Sequence, residues 1–197
     1  MRLLFTFILV SICFTVMAQA SAERKWVDSE VRYTDAAGKS VMVHSSLPKG
    51  GSVYTDSIGK KYGYVIFWFR VINESSAPLA LSIRLPAEPF TIFPSPDSHI
   101  RLFVPPDTMM QDKISLNDYG LDLQSFLATG FNKPSVLDKT VLPKNECFFY
   151  VPVLFYQARG TTRAALVLKG KDLFFKISVA PDVDSVLIPC GKLVFGN

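Results

Sequence analysis

Two stretches of this chain admit few conformations. Residues 62–72 read Tyr-Gly-Tyr-Val-Ile-Phe-Trp-Phe-Arg-Val-Ile, and residues 147–156 read Cys-Phe-Phe-Tyr-Val-Pro-Val-Leu-Phe-Tyr. Successive side chains of a strand point to opposite faces. Aromatic and β-branched residues occupy both parities here, so each run suits a strand that is buried on both sides at the centre of a sheet. Pro152 complicates the second run. It has no N–H to give to a ladder, and it implies a bulge, a break or an edge position.

Shorter segments add strands around these two. Leu79, Leu81, Ile83 and Leu85 share one face while Ala80, Ser82 and Arg84 share the other, the pattern of a strand with one wet face. Residues 100–104 and 173–179 alternate in the same way, and 30–34, 41–44, 164–169 and 185–188 are briefer candidates. Asn73-Glu74-Ser75-Ser76-Ala77-Pro78 and Gly170-Lys171-Asp172 carry turn chemistry, the second of them a hairpin signal. Tyr119, Leu123, Phe126 and Leu127 form one helical stripe, with Asn117 or Asp118 as cap and Gly130 as stop. There is no internal repeat and no linker-like stretch. These features predict an all-β protein: an immunoglobulin-like antiparallel β-sandwich with one short inserted helix over about residues 117–129. Residues 23–197 form a single domain in this reading. The cysteine–tryptophan hallmark of immunoglobulin domains is absent, because both later cysteines follow Trp68.

Residues 1–22 read as a cleaved secretory signal peptide. Arg2 precedes an apolar run to Met17, and Ala18-Gln19-Ala20 and Ala20-Ser21-Ala22 are small-x-small cleavage sites. No later apolar run reaches the roughly 20 residues of a membrane helix. The expected mature product is exported, in a periplasmic, cell-surface or extracellular setting, with a bacterial source favoured. Removing the signal takes Arg2 alone among the charged residues, so the net charge falls from +4 to +3. Cys13 leaves with it, and Cys147 and Cys190 become a candidate disulfide in an oxidising compartment. Closing about 44 residues would stabilise by roughly 4 kcal/mol.

Motifs for chemistry are sparse. The two histidines, His44 and His99, have no Gly-x-Ser-x-Gly elbow and no metal-ligand spacing around them. Asp182 and Asp184, like Asp118 and Asp122, lack a complete calcium loop and read as turn aspartates. Lys49-Gly50-Gly51-Ser52 lacks the strand-then-helix setting of a phosphate loop and reads as a loop tip. Lys60 and Lys61 make too small a basic spot for nucleic acid. Asn73-Glu74-Ser75 matches the N-glycosylation sequon. No catalytic residue, metal ligand or cofactor is therefore assigned. Trp26, Tyr54, Tyr62, Phe103 and Phe174 are candidates for a partner or ligand surface, Phe103 and Phe174 because alternation points them outward. The expected function is a secreted, non-enzymatic interaction or assembly module that binds another protein. A carbohydrate-binding module that stacks a surface polysaccharide on its aromatics is the alternative, and an enzyme with a dispersed site at His99 or His44 a third.

Overall fold

A computed structural model describes residues 26–196. The signal peptide expected at 1–22 lies outside these residues. Eleven strands form two antiparallel sheets packed as a sandwich, with one short α-helix. The first sheet contains β1 (Val27–Thr34), β2 (Ser40–Ser46), β4 (Lys61–Asn73), β8 (Glu146–Tyr156) and β6 (His99–Leu102) in that order. Strand β3 (Lys49–Thr55) pairs with the N-terminal half of β4, end to end with β2 on the same flank. The second sheet runs β7 (Ser135–Val141), β5 (Leu79–Leu85), β11 (Val183–Phe195), β10 (Asp172–Ala180) and β9 (Thr161–Lys169).

The two apolar runs are β4 and β8, and they pair at the centre of the first sheet. Their register is unbroken from Gly63 opposite Phe155 to Ile72 opposite Glu146. One parity, Phe67, Phe69 and Val71 with Phe149, Val151 and Val153, faces the second sheet and packs on Leu81, Ile83, Phe175 and Ile177. The other parity, Ile66 and Trp68 with Tyr150 and Leu154, belongs to a second core on the far side. Both faces are therefore dry, which is what the continuous apolar sequence requires.

Pro152 sits inside β8 opposite Ile66 without a shift in register. Its carbonyl accepts from Phe103 N at 3.2 Å, so its backbone faces the β6 flank. A residue in an antiparallel strand points its N and O to the same side. The ring therefore occupies a place where β6 has already ended, and no β4 ladder bond is lost.

Residues 103–131 make the cover of the second core. Two 3₁₀ turns, Gln111–Ser115 and Asn117–Gly120, precede helix α1 (Leu123–Gly130). The helix is shorter than the expected 117–129, and its cap is Asp122, which accepts from Ser125 N at 3.1 Å and Ser125 Oγ at 2.7 Å. The reason is local: Asp118 and Tyr119 adopt left-handed φ values of 49° and 54°, which end any helix there. A left-handed tyrosine is strained unless its surroundings over-determine it. Tyr119 is fully buried, its hydroxyl donates to Leu47 O at 2.6 Å, and its carbonyl accepts from Tyr150 Oη at 2.9 Å. Lys49 locks the same turn from β3. Its ammonium donates to Ile114 O at 2.6 Å and Leu116 O at 2.8 Å and lies over the Trp26 and Tyr119 rings.

Candidate functional site

The five aromatic residues expected at the surface do not form one. Phe103, Tyr54 and Tyr62 are buried at 1%, 7% and 3% exposure. All three converge on Phe131 beneath the cover, at ring separations of 6.3, 5.4 and 5.3 Å. Alternation pointed Phe103 outward, and the 103–131 layer covers that face of the first sheet. Trp26 is half-buried, with its ring edge-on to Tyr119. Phe174 is half-buried on the second sheet with Lys169 over its ring. The five residues therefore lie apart, and Tyr54, Tyr62 and Phe103 are withdrawn from any stacking platform.

The expected Cys147–Cys190 disulfide is absent, and both thiols are free. Cys147 lies on β8 of the first sheet opposite Val71, while Cys190 lies on β11 of the second. Cys190 is buried in the core between the sheets, and Cys147 is half-buried against that core. The Cys190 thiol donates instead to Leu173 O at 3.4 Å. Burial pushes its pKa up to about 12 and raises that of Cys147 as well.

The sequon is likewise committed to structure. Asn73 is fully buried, and its amide nitrogen donates to Ala77 O, Val141 O and Leu142 O at 2.7, 3.0 and 3.2 Å. Its carbonyl accepts from Ser75 N and Ser75 Oγ. His44 pairs across the β1–β2 ladder with Glu30, 3.2 Å away. His99 stacks on Tyr156 at 5.0 Å; burial, Arg101 and Lys60 lower its pKa. Asp118 accepts from Tyr64 Oη at 2.7 Å, and Asp182 lies in the β10–β11 turn. Among the described residues no three His, Cys, Asp or Glu side chains converge as a metal site would require.

One region combines open space with unsatisfied bonding capacity. The N-terminal half of β4 and the end of β8 carry the inner face of the first sheet to an open end of the sandwich. A cleft of about 1020 Å³ lies there, walled by Val53 of β3, Lys61 and Gly63 of β4, Phe155 of β8, Arg159 and Asp182. A narrower slot of about 180 Å³ shares Gly51, Gly63, Phe155 and Arg159 and leads to Thr162 at the start of β9. Arg32, Arg70, Arg84 and Arg163 each face a carboxylate. Lys61 and Arg159 have no such partner among the described residues.

Strand β3 forms one margin of this cleft, and sequence reading missed it because Gly50 and Gly51 looked like a loop tip. They form a bulge instead: the register with β4 shifts between Gly50 and Val53. At Gly50 φ is +134° and an added Cβ would meet Tyr64 O at 2.7 Å, so glycine is required. Asp56 closes the β3–β4 hairpin. Its N donates to Lys60 O at 2.9 Å, and its carboxylate accepts from Ile58 N and Lys60 N. Alternation along the ladder then directs the backbone of Tyr54 towards β4 and that of Val53 and Thr55 outward.

The other sheet edges carry deterrents to pairing. Strand β1 has Asp28, Glu30 and Arg32, β9 has Arg163 and Lys169, and β7 has Asp138 and Lys139. Strand β6 is covered by the Phe90–Ile100 bridge. On β3 the single charged residue is Lys49, whose ammonium is held by the cover. Val53 is 54% exposed and Ile58, at the hairpin tip, 77%.

Neither a protein-family model nor a curated protein sequence matches this chain.

Proposed function

We propose that this protein is an exported, non-enzymatic β-sandwich that binds a partner protein by accepting an extended segment as an added strand along β3. The observation that carries the reading is the free edge of β3, uncharged beyond Lys49, beside an open cleft. A strand added there gains backbone hydrogen bonds from Val53 and Thr55, and its alternate side chains line up beside Val53 at the margin of the cleft. The bulge at Gly50 and Gly51 turns the edge and fixes where pairing can begin. The hairpin tip is held by Asp56, so the edge is ordered before binding and loses little entropy on association. Export rests on the N-terminal sequence pattern. No helix among the described residues is long and apolar enough to cross a membrane.

Selection of a displayed random-peptide library on the purified protein tests this reading. Enriched peptides are expected to slow amide exchange at Val53 and Thr55 and to lose binding to Val53→Pro. That substitution removes an outward N–H without touching the β4 ladder. Peptides that protect some other surface, or bind the proline variant unchanged, refute strand addition at β3.

A further inference from the structure

We infer that the end of the sandwich away from the β3 cleft holds a binding site for a small amphipathic carboxylate, its apolar tail between the sheets and its head at two lysines. A cavity of about 580 Å³ lies there, between the β1–β2 hairpin of the first sheet and the β9–β10 hairpin of the second. The end of β4 at Asn73 meets β2 on this side, whereas the β3 cleft lies at the start of β4. The cavity's volume falls within the roughly 300–1,000 Å³ of small-molecule sites. This site is separate from β3 and does not depend on strand addition.

The walls are an unfinished end of the core. Leu168 follows buried Leu166, and Phe195 follows buried Leu193, at the strand period of two. Both pack on the core yet stay half-buried, and both line the cavity. Tyr33 of β1, also half-buried, lines it from the first sheet, and its hydroxyl donates to Leu166 O of the second at 3.3 Å. Lys39 makes another tie between the sheets, donating to Gly196 O just past β11 at 2.6 Å. The two ties hold the space open before any ligand arrives, and an apolar tail placed there completes the burial of Leu168 and Phe195. The mouth supplies the charge. Lys39 stands on the first hairpin and Lys171 on the second, and neither has an ion pair among the described residues. Asp35 is the acid among the lining residues, and its carboxylate accepts from Ala37 N and Lys39 N inside its own turn at 2.9 and 2.8 Å. Two ammonium groups against one carboxylate leave the mouth positive, so an anionic head is attracted and a cationic one repelled.

Three probes of equal chain length provide the test: octanoate, 1-octanol and octylamine. Affinity is read by isothermal titration and position by amide chemical shifts. Octanoate is expected to bind about fivefold tighter than octanol, with octylamine weakest. The shifts are expected to centre on Leu168, Lys171 and Phe195. In Lys39→Gln/Lys171→Gln the advantage of octanoate over octanol is expected to vanish while both still bind. Leu168→Trp fills the cavity, and all three probes are expected to bind it at least about tenfold more weakly, with an unchanged circular dichroism spectrum. Equal affinity of the natural protein for octanoate and octanol overturns the carboxylate head. Shifts centred on another surface, or undiminished binding to Leu168→Trp, overturn the cavity as the site. No binding of any probe at about 1 mM overturns the whole inference.

Discussion

Replacing Asn73 by alanine tests how the β4–β5 connection holds the two sheets together. Asn73 ends β4 of the first sheet, and its amide reaches Val141 O and Leu142 O at the end of β7 in the second. Within its own turn it bonds Ala77 O, Ser75 N and Ser75 Oγ. Truncation leaves buried Ser75 N and Val141 O without this partner. Ser75 Oγ is less affected, because it also donates to Ala77 O. A buried polar group left unpaired costs about 1–3 kcal/mol. Two such groups, with some relief from water entering the cavity, give an expected loss of about 3 kcal/mol. For a domain of this size that lowers Tm by about 6–12 °C. Urea unfolding followed by circular dichroism reads the loss as a shift in midpoint at constant m. Asn73→Asp keeps the acceptor but aims a carboxylate at three carbonyls, and it should be at least as damaging. A loss below about 1 kcal/mol for the alanine variant refutes the reasoning. So does a folded product from a glycosylating host that carries a glycan on Asn73.

Four further outcomes follow from burial and charge. Phe103→Ala should cost about 3–5 kcal/mol and Phe174→Ala less than about 1 kcal/mol in the same urea assay, because the first ring is buried under the cover and the second is half-exposed. Lys49→Met should leave the far sheet intact and speed amide exchange across 111–121, since the cover loses two charge-assisted hydrogen bonds. Stability should fall as pH rises from about 9 through 12. Cys190, Tyr119 and Tyr150 all have pKa values raised to about 12 by burial, so the folded state keeps protons that the unfolded chain releases. Thermal scans across this range would show it, and a flat profile would count against it. Native alkylation at pH 8 should be slow at Cys147 and Cys190, and both should titrate after unfolding in urea.

What could be read from the sequence was set by periodicity. The two-faced runs identified β4 and β8 as central, and clean alternation identified β5 and β10. Edge strands were harder. Strand β7 places Asp138 and Lys139 mid-strand and buries few residues, so its apolar signal is faint. Strand β11 was expected only at 185–188 but runs to Phe195, because Pro189 and Gly191 break the pattern. Pro189 stands at a bulge opposite Phe174, and a Cβ at Gly191 would lie 1.9 Å from Ser82 O. At the candidate site, β3 was hidden by its glycine bulge. Phe103 was expected at the surface wrongly because alternation gives a side chain's direction but not what covers it. The cysteine pairing failed for a related reason: counting thiols does not reveal where the fold places each one.

The cover over the first sheet also makes the molecule its own reporter. Trp68 is fully buried in the second core, beside Tyr119 and Phe148, and Trp26 lies at the margin of the same layer. The chain's two tryptophans therefore both sense residues 103–131, and the interior between the sheets contains neither. Red-shifted emission marks the lifting of the cover, while far-ultraviolet circular dichroism marks the loss of the strands. If the two signals change together during unfolding, cover and sandwich form one cooperative unit. If emission shifts first, the cover is a separate, weaker unit whose opening exposes the outer face of β4 and β8.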